Sequence, residues 1–325
     1  MHPAFSVIFL TTLIGAGQGL FLAMVTGQLY AIARFLPAQT DQFYAIGSLV
    51  ALVLLITGLL ASFFHLGHPE RAWRAAAKWR TSWLSREVIV LPIVMFLVFA
   101  YGAAHWLGLT MPLFRVGESL QVDATLLLGL FGTMASFALF VCTAMIYGGV
   151  RFIQEWHTPL TVTNFLFLGA ASGFMLAAAY SAYISNPLVT FFGTWAVILT
   201  LTGLASRSAH LVRNAQLKYK STVQTAIGVR HTVIAQKAQG ATGGSFNTRE
   251  FFHGQKQTTI ETVRLLFMVL VFPIPILLIG AAYITSSPTL PILAFVIQYV
   301  GLMAERWSFF AEAKHPQNLY YQSVA

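Results

Sequence analysis

The chain has 325 residues, of which 57% are hydrophobic and only 9% are Asp, Glu, Lys or Arg. Soluble domains carry about 25% charged residues, so this composition excludes the soluble class and indicates an integral membrane protein. The net charge of +9 lies in the connections between apolar runs, which favours lipid headgroups or a protein partner over nucleic acid. The single cysteine, Cys142, excludes an internal disulfide and an iron–sulfur cluster held by this chain alone.

Eight apolar runs are long enough to cross a bilayer, for which a helix needs about 20 apolar residues. They cover residues 5–33, 44–64, 88–107, 124–147, 160–183, 188–209, 263–284 and 289–309. Such unbroken runs exclude the alternating pattern of a β-barrel. The predicted fold class is therefore an all-α integral membrane protein with eight transmembrane helices, forming one transmembrane domain over residues 1–325. The first run lacks a basic leader and is too long for a cleaved signal peptide, so we expect it to be retained.

Two sequence features within these runs bear on packing. The stretch "IGAGQG", with Gly15, Gly17 and Gly19, predicts a close approach between the first helix and a neighbour. The stretch "VFPIPILL", with Pro273 and Pro275, predicts a kink in the seventh helix.

The cations are distributed unevenly between the two sides of the predicted bundle. Eight spans place both termini on one face, together with the connections after the second, fourth and sixth spans. That face carries all of the 19 Lys and Arg residues except Arg34 and Arg115, which predicts that it is cytoplasmic. Its longest part is a basic connection at 210–260. This connection either docks an acidic partner surface or is a solvated, flexible loop, as "KAQGATGGSFN" indicates.

The connection after the second span concentrates polar chemistry, and we expect residues 66–83 to form an interfacial helix and loop. Pro69 suits the first turn of a helix, with Glu70 at the positive end of its dipole. Three cations share one helical face and three tryptophans are typical of headgroup depth: Arg71, Arg74 and Lys78, and Trp73, Trp79 and Trp83. These features predict a helix on the membrane surface over residues 69–80. Ser85 is predicted to cap the third transmembrane helix, which would place Glu87 in its first turn.

Two interpretations of this segment are open from the residues alone. In the topological interpretation, which the pattern by itself favours, basic loops fix orientation, tryptophans fix depth and Glu87 complements a helix dipole. In the functional interpretation, His65 and Glu87 meet at one membrane edge, bind an amphipathic ligand such as a quinone and exchange protons with it. His68 is either a second polar contact for that ligand or a loop cap.

A resemblance to a known family favours the functional interpretation. The stretch "FHLGHPERAWRA" followed by "RTSWLSRE", and the C-terminal "ERWSFFAEAKHPQNLYY", resemble the membrane anchor subunit of the dimethyl sulfoxide reductase family. The resemblance covers essentially the whole chain. It implies an eight-helix, quinone-reactive anchor with no redox metal of its own. It also implies two partners, an iron–sulfur subunit and a molybdopterin catalytic subunit.

The resemblance also implies site residues. His65 and Glu87 match the family's quinol-associated positions, and we expect them to exchange protons with ubiquinone or menaquinone. Arg71 or Arg74 would stabilise negative charge on the quinone or dock the partner. The complete predicted quinone site consists of His65, Glu87, His68, Arg71, Arg74 and Trp83. We predict no metal ligand, no haem and no iron–sulfur cluster in this chain.

Within the family, the sequence is most similar to anchors of quinone-linked sulfite dehydrogenases, whose catalytic subunits lie in the cytoplasm. The charge asymmetry agrees with that placement in a bacterial cytoplasmic membrane. The resemblance therefore implies sulfite oxidation coupled to quinone reduction. The alternative is the anchor of a dimethyl sulfoxide or related oxo-compound reductase that oxidises quinol.

Other functional classes fit the sequence less well. A haem needs axial ligands deep in the bundle, and the sequence has no histidine near the middle of a predicted span. A pump or conventional transporter needs ionisable residues inside the membrane, and the sequence places none mid-span, although transport of an uncharged solute remains open. Glu305 and Arg306 are expected to pair with each other or with a partner. Gln28, Tyr30 and Trp307 are weaker candidates for the quinone edge.

Overall fold

The computed structural model describes residues 3–116, 120–184, 188–235 and 255–320. The first six long helices are α1 Phe5–Ile32, α2 Asp41–Phe63, α3 Trp83–Trp106, α4 Ala124–Gly148, α5 Pro159–Ile184 and α6 Leu188–Ala215. After them come α7 Val223–Ile227, α8 Gln257–Val271, α9 Pro273–Thr285, α10 Thr289–Ala311 and α11 Gln317–Tyr320. A 3-10 helix, Pro69–Lys78, precedes α3, and two short strands, β1 Pro112–Val116 and β2 Leu120–Asp123, precede α4.

Within the described residues, eight helices are long and apolar enough to cross a membrane, counting α8 and α9 as one. This agrees with the predicted all-α membrane architecture. The predicted kink is also confirmed, because the seventh span breaks at Phe272, whose φ and ψ are −108° and −76°. Pro273 follows this residue and has no backbone N–H to continue the hydrogen-bond ladder.

The strands β1 and β2 are an addition that the sequence analysis did not anticipate. They pair antiparallel, with Phe114 opposite Val122, in the connection between α3 and α4. Asp123 ends the hairpin and caps α4, because its Oδ1 accepts a hydrogen bond of 2.8 Å from the backbone N–H of Leu126. The hairpin therefore leads directly into a transmembrane helix.

The centre of the bundle is formed by α1 and α5. Gly19 of α1 faces Gly173 of α5 so closely that a Cβ on either would strike the backbone of the other helix. Gly17 faces α2 instead, where a Cβ would lie 2.9 Å from the carbonyl oxygen of Ala51. The small residues of the first helix thus allow close contact with two neighbours, whereas the sequence predicts such an approach to one.

Contacts between neighbouring helices define two ends of the bundle. Trp83 at the start of α3 lies beside Gly149 at the end of α4, and this is called the Glu87 end. At the opposite, His105 end, the ring of His105 in the last turn of α3 stacks on Tyr44 near the start of α2. The start of α1 and the ends of α6 and α10 also lie at the Glu87 end.

Two boundaries differ from the sequence predictions. The cap of α3 is Ser82, whose Oγ accepts a hydrogen bond from the backbone N–H of Ser85, so Glu87 lies in the second turn. The basic connection predicted at 210–260 is shorter, because α6 continues to Ala215 and α8 begins at Gln257. In between, α7 has a capping box formed by Thr222 and Thr225. Residues 236–254 of this connection lie outside the described residues.

Candidate functional site

Glu87 is a buried carboxylate at the Glu87 end of the bundle. Its side chain is only 7% exposed, and Oε1 accepts a short hydrogen bond from the hydroxyl of Thr143 on α4. Burial of a carboxylate costs free energy unless hydrogen bonds or ion pairs compensate for it. A glutamate that only complemented a helix dipole would remain exposed and avoid this cost. The topological interpretation therefore does not account for the position of Glu87.

Arg86 connects the surface segment to α3. Its Nε donates to the carbonyl oxygen of Trp79 at 2.9 Å and its Nη2 donates to that of Arg80, also at 2.9 Å. The guanidinium carbon lies 4.2 Å from the ring centroid of Trp83. From the sequence, Arg86 was only one of several cations in this connection. These contacts hold the end of the surface segment beside Glu87.

The surface segment forms a helix close to where the sequence predicts one, but it is a 3-10 helix over Pro69–Lys78 with no buried residue. The side chain of His68 donates a hydrogen bond of 3.0 Å to Glu70, and Arg71 lies 3.7 Å from the same carboxylate oxygen. Arg74 lies over the exposed ring of Trp73. Three predicted site residues, His68, Arg71 and Arg74, are thus exposed to the surroundings.

His65 follows the end of α2 and is also exposed. Desolvation by the surrounding protein lowers the pKa of its imidazole from the ordinary value of 6.5. The neutral ring therefore predominates at pH 7. Within the described ranges, no hydrogen bond or ion pair joins His65 to Glu87, although both lie at the same end of the bundle. The structure thus places the predicted residues in one region, with Glu87 and Trp83 on the α3 side.

A buried ionic cluster at the same end extends beyond the sequence prediction. Glu305 pairs with Arg306 at 3.2 Å, as expected, but it also pairs with Arg207 of α6 at 2.8 Å. The side chains of Arg207 and Glu305 are fully buried. The only sequence signal for this pair is that both residues fall near the ends of predicted apolar runs, 188–209 and 289–309. Their partnership depends on which helices become neighbours.

Further groups surround this cluster. The Arg306 guanidinium carbon lies 3.7 Å from the ring centroid of Phe165. Glu312 lies 3.8 Å from Arg207 and 3.2 Å from Arg264. These contacts give the cluster charges of both signs and an aromatic wall.

His210 lies beside this cluster and is held between two elements. Its Nε2 donates to the carbonyl oxygen of Glu155 at 2.8 Å, and its Nδ1 accepts from the side-chain amide of Asn164 at 2.9 Å. Both ring nitrogens are occupied by this packing, which indicates a structural role for His210.

Two weaker candidates lie at the wrong end of the bundle. Gln28 donates to Thr125 at 2.7 Å and accepts from Tyr101 at 3.0 Å near the start of α4, and the ring of Tyr30 contacts Phe191 near the start of α6. These residues therefore do not line the edge that holds Glu87. They were misplaced because residues late in α1 reach the opposite side of the membrane. Trp307, in contrast, packs in the aromatic cluster at the Glu87 end.

In the part of the chain that the structure describes, no group of three or more His, Cys, Asp or Glu side chains is placed to hold a metal ion. Cys142 is a free, buried thiol. The absence of haem and of an iron–sulfur cluster from this chain stays a prediction.

Comparison with known proteins places the chain in a family. Residues 1–321 match the family described as the DMSO reductase anchor subunit (DmsC). The chain belongs to the DMSO reductase anchor family. It is 80% identical over 325 residues to a sulfite dehydrogenase subunit of Allochromatium vinosum, with 100% of both chains covered. The protein is thus a multi-pass membrane anchor of an oxidoreductase complex, and the family resemblance drawn from the sequence is confirmed.

Proposed function

We propose that this anchor binds a quinone at the Glu87 end and exchanges electrons and protons with it on behalf of a sulfite-oxidising complex. The observation that carries the proposal is the burial of Glu87, a protonatable side chain at the membrane end of an otherwise apolar helix. Ionisable residues inside membrane spans are costly and mark functional sites. The high identity, along the full length, to a sulfite dehydrogenase subunit supplies the reaction.

The residues at this end fit the chemistry of a quinone. The head of a quinone carries two carbonyl oxygens, each of which takes up a proton when the quinone is reduced to a quinol, and its tail is apolar. The carboxyl group of Glu87 and the imidazole of His65 can donate protons or accept them. Nearby apolar side chains face outward, including Phe64, which is 87% exposed, and Leu84 at 50%. They provide the surface along which a tail would lie in lipid.

Each predicted residue has a role in this proposal. Glu87 and His65 deliver protons to the quinone oxygens as electrons arrive from the partner. Arg71 and Arg74 stabilise negative charge on the quinone or contact the iron–sulfur partner, and His68 adds a polar contact. Trp83 forms part of the wall, held by Arg86.

The complex and its orientation follow from the same proposal. The partners are an iron–sulfur electron-transfer subunit and a molybdopterin catalytic subunit. They dock on the Glu87 end, which faces the cytoplasm together with both termini, because this end carries nearly all of the cations. The basic connection after α6 contributes to the same surface. A reductase anchor that oxidises quinol is the second candidate, and the family description supports it.

The test is sulfite-dependent reduction of a ubiquinone analogue by isolated membranes, with and without this chain. We expect the activity to depend on the chain. In Glu87→Gln, which preserves size but not ionisation, quinone turnover should fall by about 100-fold, the lower range for loss of a general acid–base group. Glu261→Gln is the matched control, because Glu261 is exposed in α8 and its side chain bonds Gln257 rather than a residue of the proposed site.

Sulfite oxidation with a soluble electron acceptor separates assembly from quinone chemistry. This activity should be unchanged in both variants. Wild-type quinone kinetics in an assembled Glu87→Gln complex would remove Glu87 from the mechanism. If sulfite supports no activity, a quinol-dependent reduction of sulfoxides in the same membranes would favour the reductase.

A further inference from the structure

We propose that Glu87 exchanges protons with the surface through a buried route made of Thr143, a water-sized cavity, the Glu305 ion-pair cluster and Glu312. This inference rests on the proposed quinone function, and it assigns a route to the protons that the reaction requires. A quinone takes up two electrons and two protons to become a quinol. The electrons come from the iron–sulfur partner, so the protons have to reach the quinone separately, from water at the surface of the anchor.

The route begins at Glu87. Its buried carboxylate has Thr143 as its hydrogen-bond partner, and a hydroxyl can both donate and accept a proton. Thr143 also lines a small cavity of about 20 Å³ between α1, α4, α5 and α10. A volume above about 10–15 Å³ accommodates a water molecule when polar groups surround it. The Thr143 hydroxyl therefore lies between Glu87 and a site for water.

The walls of the cavity carry the polar groups that a water molecule requires. They include Gln18, Ser172 and Arg306. Gln18 is only 1% exposed, and its Oε1 has no hydrogen-bond partner within the described residues. A buried amide oxygen without a partner costs about 1–3 kcal/mol. A water in this cavity would satisfy that oxygen and connect it to the neighbouring groups.

The next step is the ionic cluster. Arg306 lines the cavity and pairs with Glu305, and Glu305 pairs in turn with Arg207. Arginine does not lose its proton in proteins, so the two guanidinium groups do not carry the proton. Both carboxylate oxygens of Glu305 are buried and make no hydrogen bond within the described residues, so they can bind the water molecules that pass the proton along the cluster.

The route reaches the surface at Glu312. Its side chain is 10% exposed, lies 3.8 Å from Arg207 and lines a pocket of about 180 Å³. The other polar groups around the pocket include Glu155, Tyr219, Arg264 and Lys314. Water in this pocket supplies a proton to Glu312. The proton then passes along the water at Glu305 to the cavity water, to Thr143 and to Glu87, as Glu87 gives its own proton to a quinone oxygen. Together with the proton that His65 delivers, this completes the quinol.

The primary test compares three variants in membranes that contain the whole complex. Thr143→Val has nearly the same shape but no hydroxyl, and Thr143→Ser restores the hydroxyl. Thr133→Val is the matched control, because Thr133 lies on the same helix and its hydroxyl has no partner in the described structure. We expect kcat for sulfite-dependent quinone reduction to fall about 10-fold or more in Thr143→Val, with KM for quinone unchanged. Thr143→Ser and Thr133→Val should retain wild-type rates.

A second variant and a second readout keep the test valid even if Thr143→Val disturbs folding. Gln18→Leu places an apolar side chain against the cavity and should lower kcat in the same way. The solvent deuterium isotope effect on kcat should rise in both slow variants, because proton delivery then limits the rate. Sulfite oxidation with a soluble acceptor should be unchanged, which shows that the complex is assembled.

Several outcomes would overturn the route. Wild-type kcat in assembled Thr143→Val and Gln18→Leu complexes would exclude it, and a higher KM with unchanged kcat would show that Thr143 only positions the quinone site. If Glu87→Gln is slow while both of these variants are normal, the route fails and the quinone function remains. If Glu87→Gln is also normal, both proposals fail.

Discussion

Gly19 of α1 and Gly173 of α5 bring the two central helices into direct backbone contact. A Cβ on Gly173 would strike the backbone of Gly19, and a Cβ on Gly19 would strike the carbonyl oxygen of Gly169. Lipid tails are as apolar as leucine, so helices in a membrane associate through close packing more than through the hydrophobic effect. This glycine contact therefore fixes the distance between the two most deeply buried membrane helices.

Gly173→Ala should destabilise the protein, because the added methyl group forces α1 and α5 apart. Overpacking typically costs about 1–3 kcal/mol, and a backbone clash lies at the upper end of that range. Gly280→Ala is the control, since a Cβ at Gly280 would meet no other atom within 4 Å. Thermal unfolding of the purified protein in detergent should show a lower Tm for Gly173→Ala alone. Equal Tm values would contradict the close contact.

Glu305→Leu should be more damaging than most single substitutions. It leaves Arg207 and Arg306 buried without their shared carboxylate, and an uncompensated buried charge costs about 3–5 kcal/mol. Glu261→Leu is the control, because Glu261 is exposed on α8. We expect a large loss of folded protein, or of Tm, for Glu305→Leu only. A near-normal Tm would show that the two arginines find other partners.

Asp41→Ala should destabilise the His105 end without affecting quinone turnover. His105 is 3% exposed and donates from Nδ1 to Asp41 at 2.8 Å, and its Nε2 has no partner in the described part of the chain. Loss of this bond should cost about 1–3 kcal/mol.

Asp41→Asn is the conservative control for this change, since its amide oxygen still accepts the bond. The readouts are Tm and the quinone rate of assembled complexes. A fall in kcat for Asp41→Ala at unchanged content of the complex would place quinone chemistry at the His105 end instead.

The quinone rate should depend on pH through His65. Because desolvation lowers the pKa of His65 below 6.5, the ring is neutral at pH 7 and becomes charged only as the pH falls further. Because His65 is proposed to deliver a proton, its charged form is the active one, so kcat/KM should rise as the pH falls below 6.5. His65→Gln should lose this acidic rise, whereas His68→Gln should retain it. An unchanged acidic rise in His65→Gln would assign that titration to another group.

The fold was largely predictable from the sequence because lipid imposes a simple rule. Every backbone polar group in the membrane needs an internal partner, so an apolar run such as Asp41–Phe63 becomes a helix whatever its neighbours are. The kink before Pro273 is also predictable from local chemistry, because proline has no backbone N–H to continue the helical hydrogen bonds. The start of α3 was misjudged because Ser82 and Ser85 are both good caps, and the choice depends on how the preceding loop is held by Arg86.

The candidate site was predictable only in part. The sequence and its resemblance to the family indicated Glu87, but not Thr143, which is an ordinary polar residue within the apolar run of α4. They indicated the pairing of Glu305 with its neighbour Arg306, but not with Arg207. Both of the partners that the sequence did not indicate lie on helices distant in sequence, and no local sequence pattern predicts such a contact.

The sequence by itself determined the class, the number of membrane helices and the concentration of cations in particular connections. These properties depend on composition and local backbone chemistry, which can be read from the sequence without knowing which helices are neighbours. The tertiary structure alone decided that Glu87 turns inward to Thr143, that Gln28 belongs to the opposite end, and that Arg207 pairs with Glu305. The physical reason is that helix neighbours are selected by the fit of whole surfaces, such as the glycine contact between α1 and α5.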